Sequence, residues 1–431
     1  MRKLIVHLSI LLCTGFNIGF AQLPLTPHCG QNAYVQSQYN NPDFQNSDVI
    51  YQQALAKTAI AQLRDFEIYQ IPVVVHLVYK NEDTAISDQR VLEQMDQLNK
   101  DFRRLNEDAN QVRPVFESVV GDPGIEFQLV KINRVLTNTT FSLDFDISTL
   151  TYRFPDHVKS SQFGGSDAWD PREFLNIWVC DITGDLIFGY AYPPSTLADW
   201  PTASAAPSPE LDGIVIHDKA FGGPPPVFTI GEDRIELNGR TLTHEVGHFL
   251  GLRHPWGDSD LGGYQCFLDD GLEDTPLMKE PSFNSCDHEK NTCGDTSIDL
   301  PDMIENFMDF SSHKCQNSFT LQQIDLMRFV LKNHRRTLRL KNLSVSKPNR
   351  SLVYPNPTNG LVKVILRDTD EADYEVRVYN TQSHLVPISI KEHRGANRNY
   401  KIDLSGLVAG VYFVEFASEE RRFVERVVLT W

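Results

Sequence analysis

The sequence predicts an α+β (α/β-like) domain, with a twisted mixed sheet and one histidine-bearing helix, followed by a C-terminal all-β sandwich. Three observations carry this. β-branched runs alternate with helical periodicity up to about residue 340. A polar stretch then spans residues 341–352. Beyond it only short strand-like runs remain, separated by Pro, Gly, Asn and Asp.

The chain begins with Arg2 and Lys3, an apolar run from Leu4 to Phe16, and small Gly19 and Ala21 before Gln22. Residues 1–21 read as a secretory signal peptide. The run is too short for a membrane anchor, and no later stretch is long and apolar enough to span a bilayer. Bulky Leu12 before Cys13 argues against a lipoprotein. The expected location is outside the cell or on its surface. Signal removal takes Cys13 away, leaving six of seven cysteines in an oxidising context. With 57 acids against 40 Lys plus Arg the net charge is −17, which excludes nucleic acid and anionic membrane as partners.

Residues 22–63 are Gln/Asn-rich without a core pattern and read as a pro-segment. Residues 64–340 form the main domain. Ile71–Tyr79 is dense in β-branched residues, as a buried strand should be. Ser87 caps a helix whose apolar positions are Val91, Leu92, Met95, Leu98, Phe102 and Leu105. Strands follow at Ile125–Val135, Phe174–Cys180 and Gly213–His217, with a short edge strand at Gly189, Tyr190 and Ala191. A last helix runs from Thr320 to about Leu340, where Lys332, Arg335, Arg336 and Arg339 suit the negative end of the dipole. Residues 341–352 are a linker and 353–431 the sandwich, with strands at 361–366, 374–379, 401–404, 411–416 and 423–429.

The chemistry lies in residues 244–254, His-Glu-Val-Gly-His-Phe-Leu-Gly-Leu-Arg-His. On a helix His244 and His248 are one turn apart on one face and can chelate one zinc ion. Glu245 falls beside the metal, where a general base belongs. Gly251 turns the chain so that His254 returns as third ligand, and the fourth position stays open for water. A chance His-acid-x-x-His is expected about 0.05 times at this composition, and the added Gly and His lower that to roughly one in ten thousand.

This signature resembles that of the metzincin metallopeptidases. Asn306-Phe307-Met308-Asp309-Phe310 fits their Met-turn, with Met308 as a soft floor under the ligands. With LNIWVCD, the Gly189-Tyr190-Ala191 strand and DGLEDTP, the stretch from Ile71 to Leu340 resembles the pappalysin branch and its bacterial, ulilysin-like members. The resemblance implies a metzincin fold and a secreted zinc endopeptidase acting on protein or peptide substrates. Water in the open position gives its proton to Glu245, attacks a carbonyl polarised by zinc, and Glu245 passes the proton to the leaving amine. An extended substrate pairs with the Gly189-Tyr190-Ala191 edge.

The resemblance also implies disulfides Cys266–Cys293 and Cys286–Cys315. Their rival is a second zinc site using these cysteines and His288. It further implies calcium at the acidic loop, with Asp270 and Thr275 as ligands; the alternative is a solvated acidic turn. Cys29 resembles the cysteine switch of latent metzincins, a thiolate closing the open zinc position, with maturation near Leu63–Arg64. The alternative is a Cys29–Cys180 disulfide; on the switch reading Cys180 is a buried thiol. Two positions depart from the family. Phe310 stands where many metzincins have Tyr, and His313 stands where close relatives have an Asp that favours Arg in the primed-side pocket. The expectation is an active enzyme with weakened preference for a basic residue after the scissile bond. The rival function is a weak or inactive surface-displayed binding protein that keeps a structural zinc.

Tyr354-Pro355-Asn356-Pro357-Thr358-Asn359-Gly360 and the run Asp403–Phe413 resemble a type IX secretion sorting domain, which implies the secretion machinery as a partner. The alternative is a carbohydrate-binding or adhesive module.

Overall fold

The structure is a computed structural model. It describes residues 28–29, 68–338 and 352–430, except 83–84, 147–150, 184–186, 195–204, 223–226, 231–232, 258–265, 267–268, 295–298, 355–357, 367–373, 381–384, 394–397 and 418–421. The signal peptide, most of the pro-segment, the maturation site and the linker expected from sequence lie outside the described residues.

The main domain is organised on a six-stranded mixed sheet. Its strands are β1 (His28–Cys29), β2 (Tyr69–Tyr79), β3 (Ile125–Leu136), β4 (Leu175–Cys180), β5 (Ile187–Ala191) and β6 (Ile214–His217), in the order β1-β5-β6-β4-β2-β3. Neighbours run parallel except β5, which is antiparallel to β6. β2 is covered on both faces, and nearly all its residues are buried. That explains its density of β-branched residues.

Helix α1 (Asp88–Phe102) starts where the Ser87 side chain accepts the Arg90 N–H. It buries Val91, Met95, Leu98 and Phe102 against the sheet. Asn99 fixes its position by donating to the Phe127 carbonyl and accepting from the Phe127 N–H. Leu105 does not belong to this stripe. The helix ends at Phe102, and Leu105 is 68% exposed.

A hairpin of β7 (Val227–Ile230) and β8 (Asp233–Glu236), unseen in the sequence, leads into helix α2 (Arg240–Phe249). All ten residues of α2 are buried, its apolar side in the core shared with β2, β4 and β6. Helix α3 (Leu321–Asn333) has a full capping box, Thr320 accepting from the Gln323 N–H and Gln323 accepting from the Thr320 N–H.

α3 is shorter than its periodicity predicts, and Arg335 does not serve the helix dipole. It lies past the C-cap, buried, with its guanidinium over the Phe249 ring at 3.5 Å. It donates to the carbonyls of Phe249 and Tyr192 and pairs with Asp212 at 2.6 Å. The residue read as a helix-end charge is a clamp between α2 and the strand side of the domain.

The C-terminal part has two antiparallel sheets. β9 (Leu352–Tyr354), β10 (Leu361–Leu366), β12 (Ser389–His393) and β13 (Arg398–Asp403) form one, in the order β9-β10-β13-β12. β11 (Glu375–Asn380), β14 (Gly410–Ala417) and β15 (Arg422–Leu429) form the other. Val362, Val364, Tyr400, Ile402, Val414 and Phe416 share one core. β12, Ser-Ile-Lys-Glu-His, was not legible because its alternation is nearly all polar.

Candidate active site

α2 ends sharply. Gly251 takes φ +94° and its N–H bonds the His248 carbonyl, while the Leu252 N–H bonds the Gly247 carbonyl. A side chain is strained in that conformation, so the glycine is what turns the chain back. His254 is thereby brought beside His244 and His248. The three Nε2 atoms lie 3.0–3.1 Å apart.

These contacts are not hydrogen bonds between the rings. His244 Nδ1 donates to the Phe307 carbonyl at 2.7 Å, and His248 Nδ1 donates to the Leu252 carbonyl at 2.8 Å. A neutral imidazole that donates from Nδ1 carries its lone pair on Nε2. Burial, together with His254 and His244, holds His248 well below the usual histidine range. Lone pairs converging in a buried place repel unless a cation lies between them. Imidazole nitrogens with carbonyl-fixed tautomers are a fitting zinc set.

Cys29 completes the group. A donor atom from each of Cys29, His244, His248 and His254 lies within 4.8 Å of the others. β1 runs parallel to β5, Cys29 registering with Gly189, and this is what delivers the thiol. Cys29 and Cys180 are both buried and neither is in a disulfide, so the alternative bridge between them is not formed. Burial pushes the Cys180 thiol up, far from reactivity.

Glu245 is fully buried next to His244. Burial raises its carboxyl to about 8, opposed in part by the Cys29 thiol. A divalent cation alongside acts in the opposite direction. A Cβ on Gly189 would stand 3.2 Å from Glu245 Cγ and 2.9 Å from the Val215 carbonyl oxygen, so β5 passes this close because residue 189 has no side chain.

Met308 lies under the histidines, fully buried, its sulfur against Gly247. Its N–H donates to Asn306 Oδ1, and the amides of Asn306 and Gln323 bond each other reciprocally. Gln323, the other half of the α3 capping box, therefore holds the turn that carries Met308 and the Phe307 carbonyl. Phe310 packs its ring 4.8 Å from that of His254 and 5.6 Å from that of His244.

One cavity gathers Cys29, Thr241, His244, Glu245, Phe310 and His313. His313 Nδ1 accepts the Asn238 N–H, and its carbonyl accepts from Arg240. Tyr190 and Ala191 are placed differently. Both side chains are buried, and the Tyr190 hydroxyl donates to Asp156 behind the sheet. Only their backbone is available to a peptide.

Disulfides join Cys266 to Cys293 and Cys286 to Cys315, with Cα–Cα distances of 5.6 and 5.9 Å. The rival second zinc site on these thiols is thereby removed. In the acidic loop Asp270 Oδ1 accepts from Thr275 Oγ1 at 2.6 Å, while Oδ2 is buried with no partner. Burial raises that carboxyl to about 8. An orphaned buried carboxylate oxygen fits a hard cation.

Sequence reasoning missed Trp256, stacked on His254 at 4.4 Å and 8°. It missed Arg240, Asn306 and Gln323, which act through positions far apart in sequence.

Residues 159–332 match the family described as Pregnancy-associated plasma protein-A, and residues 352–430 match the Secretion system C-terminal sorting domain. The chain is similar to mature mirolysin of Tannerella forsythia solved with a cleaved peptide: 37% identity over 64% of this chain and 96% of that one, TM-score 0.50. The chain belongs to the pappalysin family of metallopeptidases. A promirolysin mutant of Tannerella forsythia matches at 31% identity over 72% of this chain and 97% of that one, TM-score 0.58. An extracellular metalloprotease of Arthroderma benhamiae is 36% identical over 29% of this chain, and the match spans 38% of that relative's length. The match to a secretion sorting domain, together with extracellular relatives, marks this chain as exported, either secreted or held at the cell surface. No helix among the described residues is long and apolar enough to cross a membrane.

Proposed function

We propose that this pappalysin is a secreted zinc endopeptidase made in latent form. The observation that carries the reading is the convergence of three carbonyl-fixed or stacked histidines on one point beside a buried glutamate. His244, His248 and His254 would hold the zinc. Zinc there supplies Lewis acidity toward a water and a peptide carbonyl. Glu245 takes the proton of the attacking water and returns it to the leaving amine. The β5 backbone at Gly189–Ala191 aligns an extended substrate by strand pairing.

Cys29 is the latch. In the latent chain its thiolate fills the position that water needs, and β1 occupies the edge of β5 that a substrate uses. Residues 22–63 are the removable segment, cut near Leu63–Arg64, and 64–340 the peptidase. Asp270 and Thr275 would hold calcium, which supports the loop rather than the chemistry. Residues 353–431 address the chain to a secretion machinery. With His313 in the cavity wall, a preference for Arg is not carried over.

The rival reading, a zinc-bearing binding protein without turnover, has Phe310 in its favour, since no hydroxyl assists a carbonyl there. The test is cleavage of casein by the zinc-loaded chain and its Glu245→Ala variant. Loss of cleavage with retained zinc supports the mechanism, and undiminished cleavage overturns it.

A further inference from the structure

The cavity beside Glu245 has an uneven lining. Its walls include Phe188, Ile235, Leu237 and Phe310. Besides the two carboxyl oxygens of Glu245, its polar end holds three buried side-chain oxygens with no hydrogen-bond partner: Thr241 Oγ1, Asp309 Oδ2 and Gln316 Oε1. Thr241, Asp309 and Gln316 are 6%, 0% and 3% exposed. Buried polar atoms are almost always paired, and an orphan is destabilising. Three of them lining one cavity next to the scissile position point to a ligand that supplies the partners.

The orientation of each group is determined by its other bonds. Gln316 Nε2 donates to the carbonyls of Asp309 and Ser311, so Oε1 can only accept from the cavity side. Asp309 Oδ1 accepts the Ser282 N–H, which leaves Oδ2. The Thr241 hydroxyl can donate or accept.

Charge then separates amide from cation. Behind the cavity, Arg113 pairs with Glu305 at 2.6 Å and Lys290 with Asp302 at 3.4 Å. Lys290 also acts on Asp309 electrostatically. Burial pushes the Asp309 carboxyl above its usual range, toward the neutral acid that both donates and accepts. His313 adds no anion. A guanidinium or ammonium has donors only; Asp309, the carboxyl it would meet at this end, already has Lys290 within electrostatic reach and is drawn toward the neutral acid by burial. A primary amide carries two N–H donors and one carbonyl acceptor, which matches one fixed acceptor and two groups of either sense.

We propose that this cavity receives a glutamine or asparagine side chain from a residue flanking the scissile bond, with Thr241, Asp309 and Gln316 as its specificity-determining residues. The proposal rests on the peptidase reading and names the substrate class of that site.

The test uses the full zinc-loaded chain carrying Cys29→Ala. It is incubated with a peptide library randomised on both sides of the bond, and cleavage positions are read by mass spectrometry. The expected profile favours Gln or Asn at one flanking position over Leu by at least about tenfold, and Thr241→Val lowers that ratio by about tenfold. A profile led by Arg or Lys overturns the proposal in favour of charge recognition. One led by Leu, Ile or Phe overturns it in favour of an apolar pocket. No cleavage at any peptide would fail the peptidase reading instead. A turnover-free measurement decides in that case: a hydroxamate with a carboxamide side chain is compared by calorimetry with its isobutyl counterpart. Tighter binding of the carboxamide, lost in Thr241→Val, supports the pocket assignment, and equal binding overturns it.

Discussion

The sulfur of Met308 occupies the space that a Cβ on Gly247 would need. The helix that presents His244 and His248 thus rests directly on the turn that follows it by sixty residues in the chain. One consequence concerns Gly247→Ala. The added methyl displaces Met308, and with it the Phe307 carbonyl that fixes His244. We expect a loss of roughly 1–3 kcal/mol in stability and a weaker zinc affinity. Thermal unfolding together with competitive zinc titration measures both, and an unchanged zinc affinity would remove Met308 from any supporting role.

Cys29→Ala should abolish latency. The full chain would cleave casein without prior processing and degrade itself during purification. Wild-type chain should be silent until the segment bearing Cys29 is removed. A Cys29→Ala precursor that is stable and inactive would sink the latch.

Asp101 provides a pH signature. It is fully buried, accepts from Thr243 Oγ1 and Gln97, and lies 3.7 Å from the Arg240 guanidinium. Burial raises its carboxyl from 3.8 to about 6, against the pull of Arg240. The folded state therefore holds this proton more tightly than the unfolded one. Its contribution to stability is full below the unfolded value and is lost as pH rises through about 6. Asp101→Asn should flatten the fall in stability between those two values, read from urea unfolding at a series of pH values. An identical slope in the variant would contradict the assignment.

Arg335→Met should cost roughly 2–4 kcal/mol, because two backbone carbonyls and Asp212 lose a buried partner together. Thermal unfolding checks this. A change within about 0.5 kcal/mol would mean that the Arg335 clamp contributes nothing to stability.

The elements that were legible in sequence are those whose reason is local. The i, i+4 spacing of His244 and His248, the left-handed Gly251, the Ser87 cap and the β-branched run of β2 each follow from a few adjacent residues. Leu105 and Arg335 misled for the same reason. Periodicity continues past a helix end, and only packing decides where the helix stops.

What the sequence by itself determined was the spacing of His244, His248 and His254, the place of Glu245 beside the first of them and the division into a mixed domain and an all-β tail, since helical and strand periodicities are properties of neighbours. The tertiary structure alone decided what surrounds them. It brought Cys29 to the histidines through pairing of β1 with β5. It set the Phe307 carbonyl behind His244 and stacked Trp256 on His254. It gathered the oxygens of Thr241, Asp309 and Gln316 at one cavity. Those relationships join residues separated by long stretches of chain, and only strand register and core packing bring such residues together.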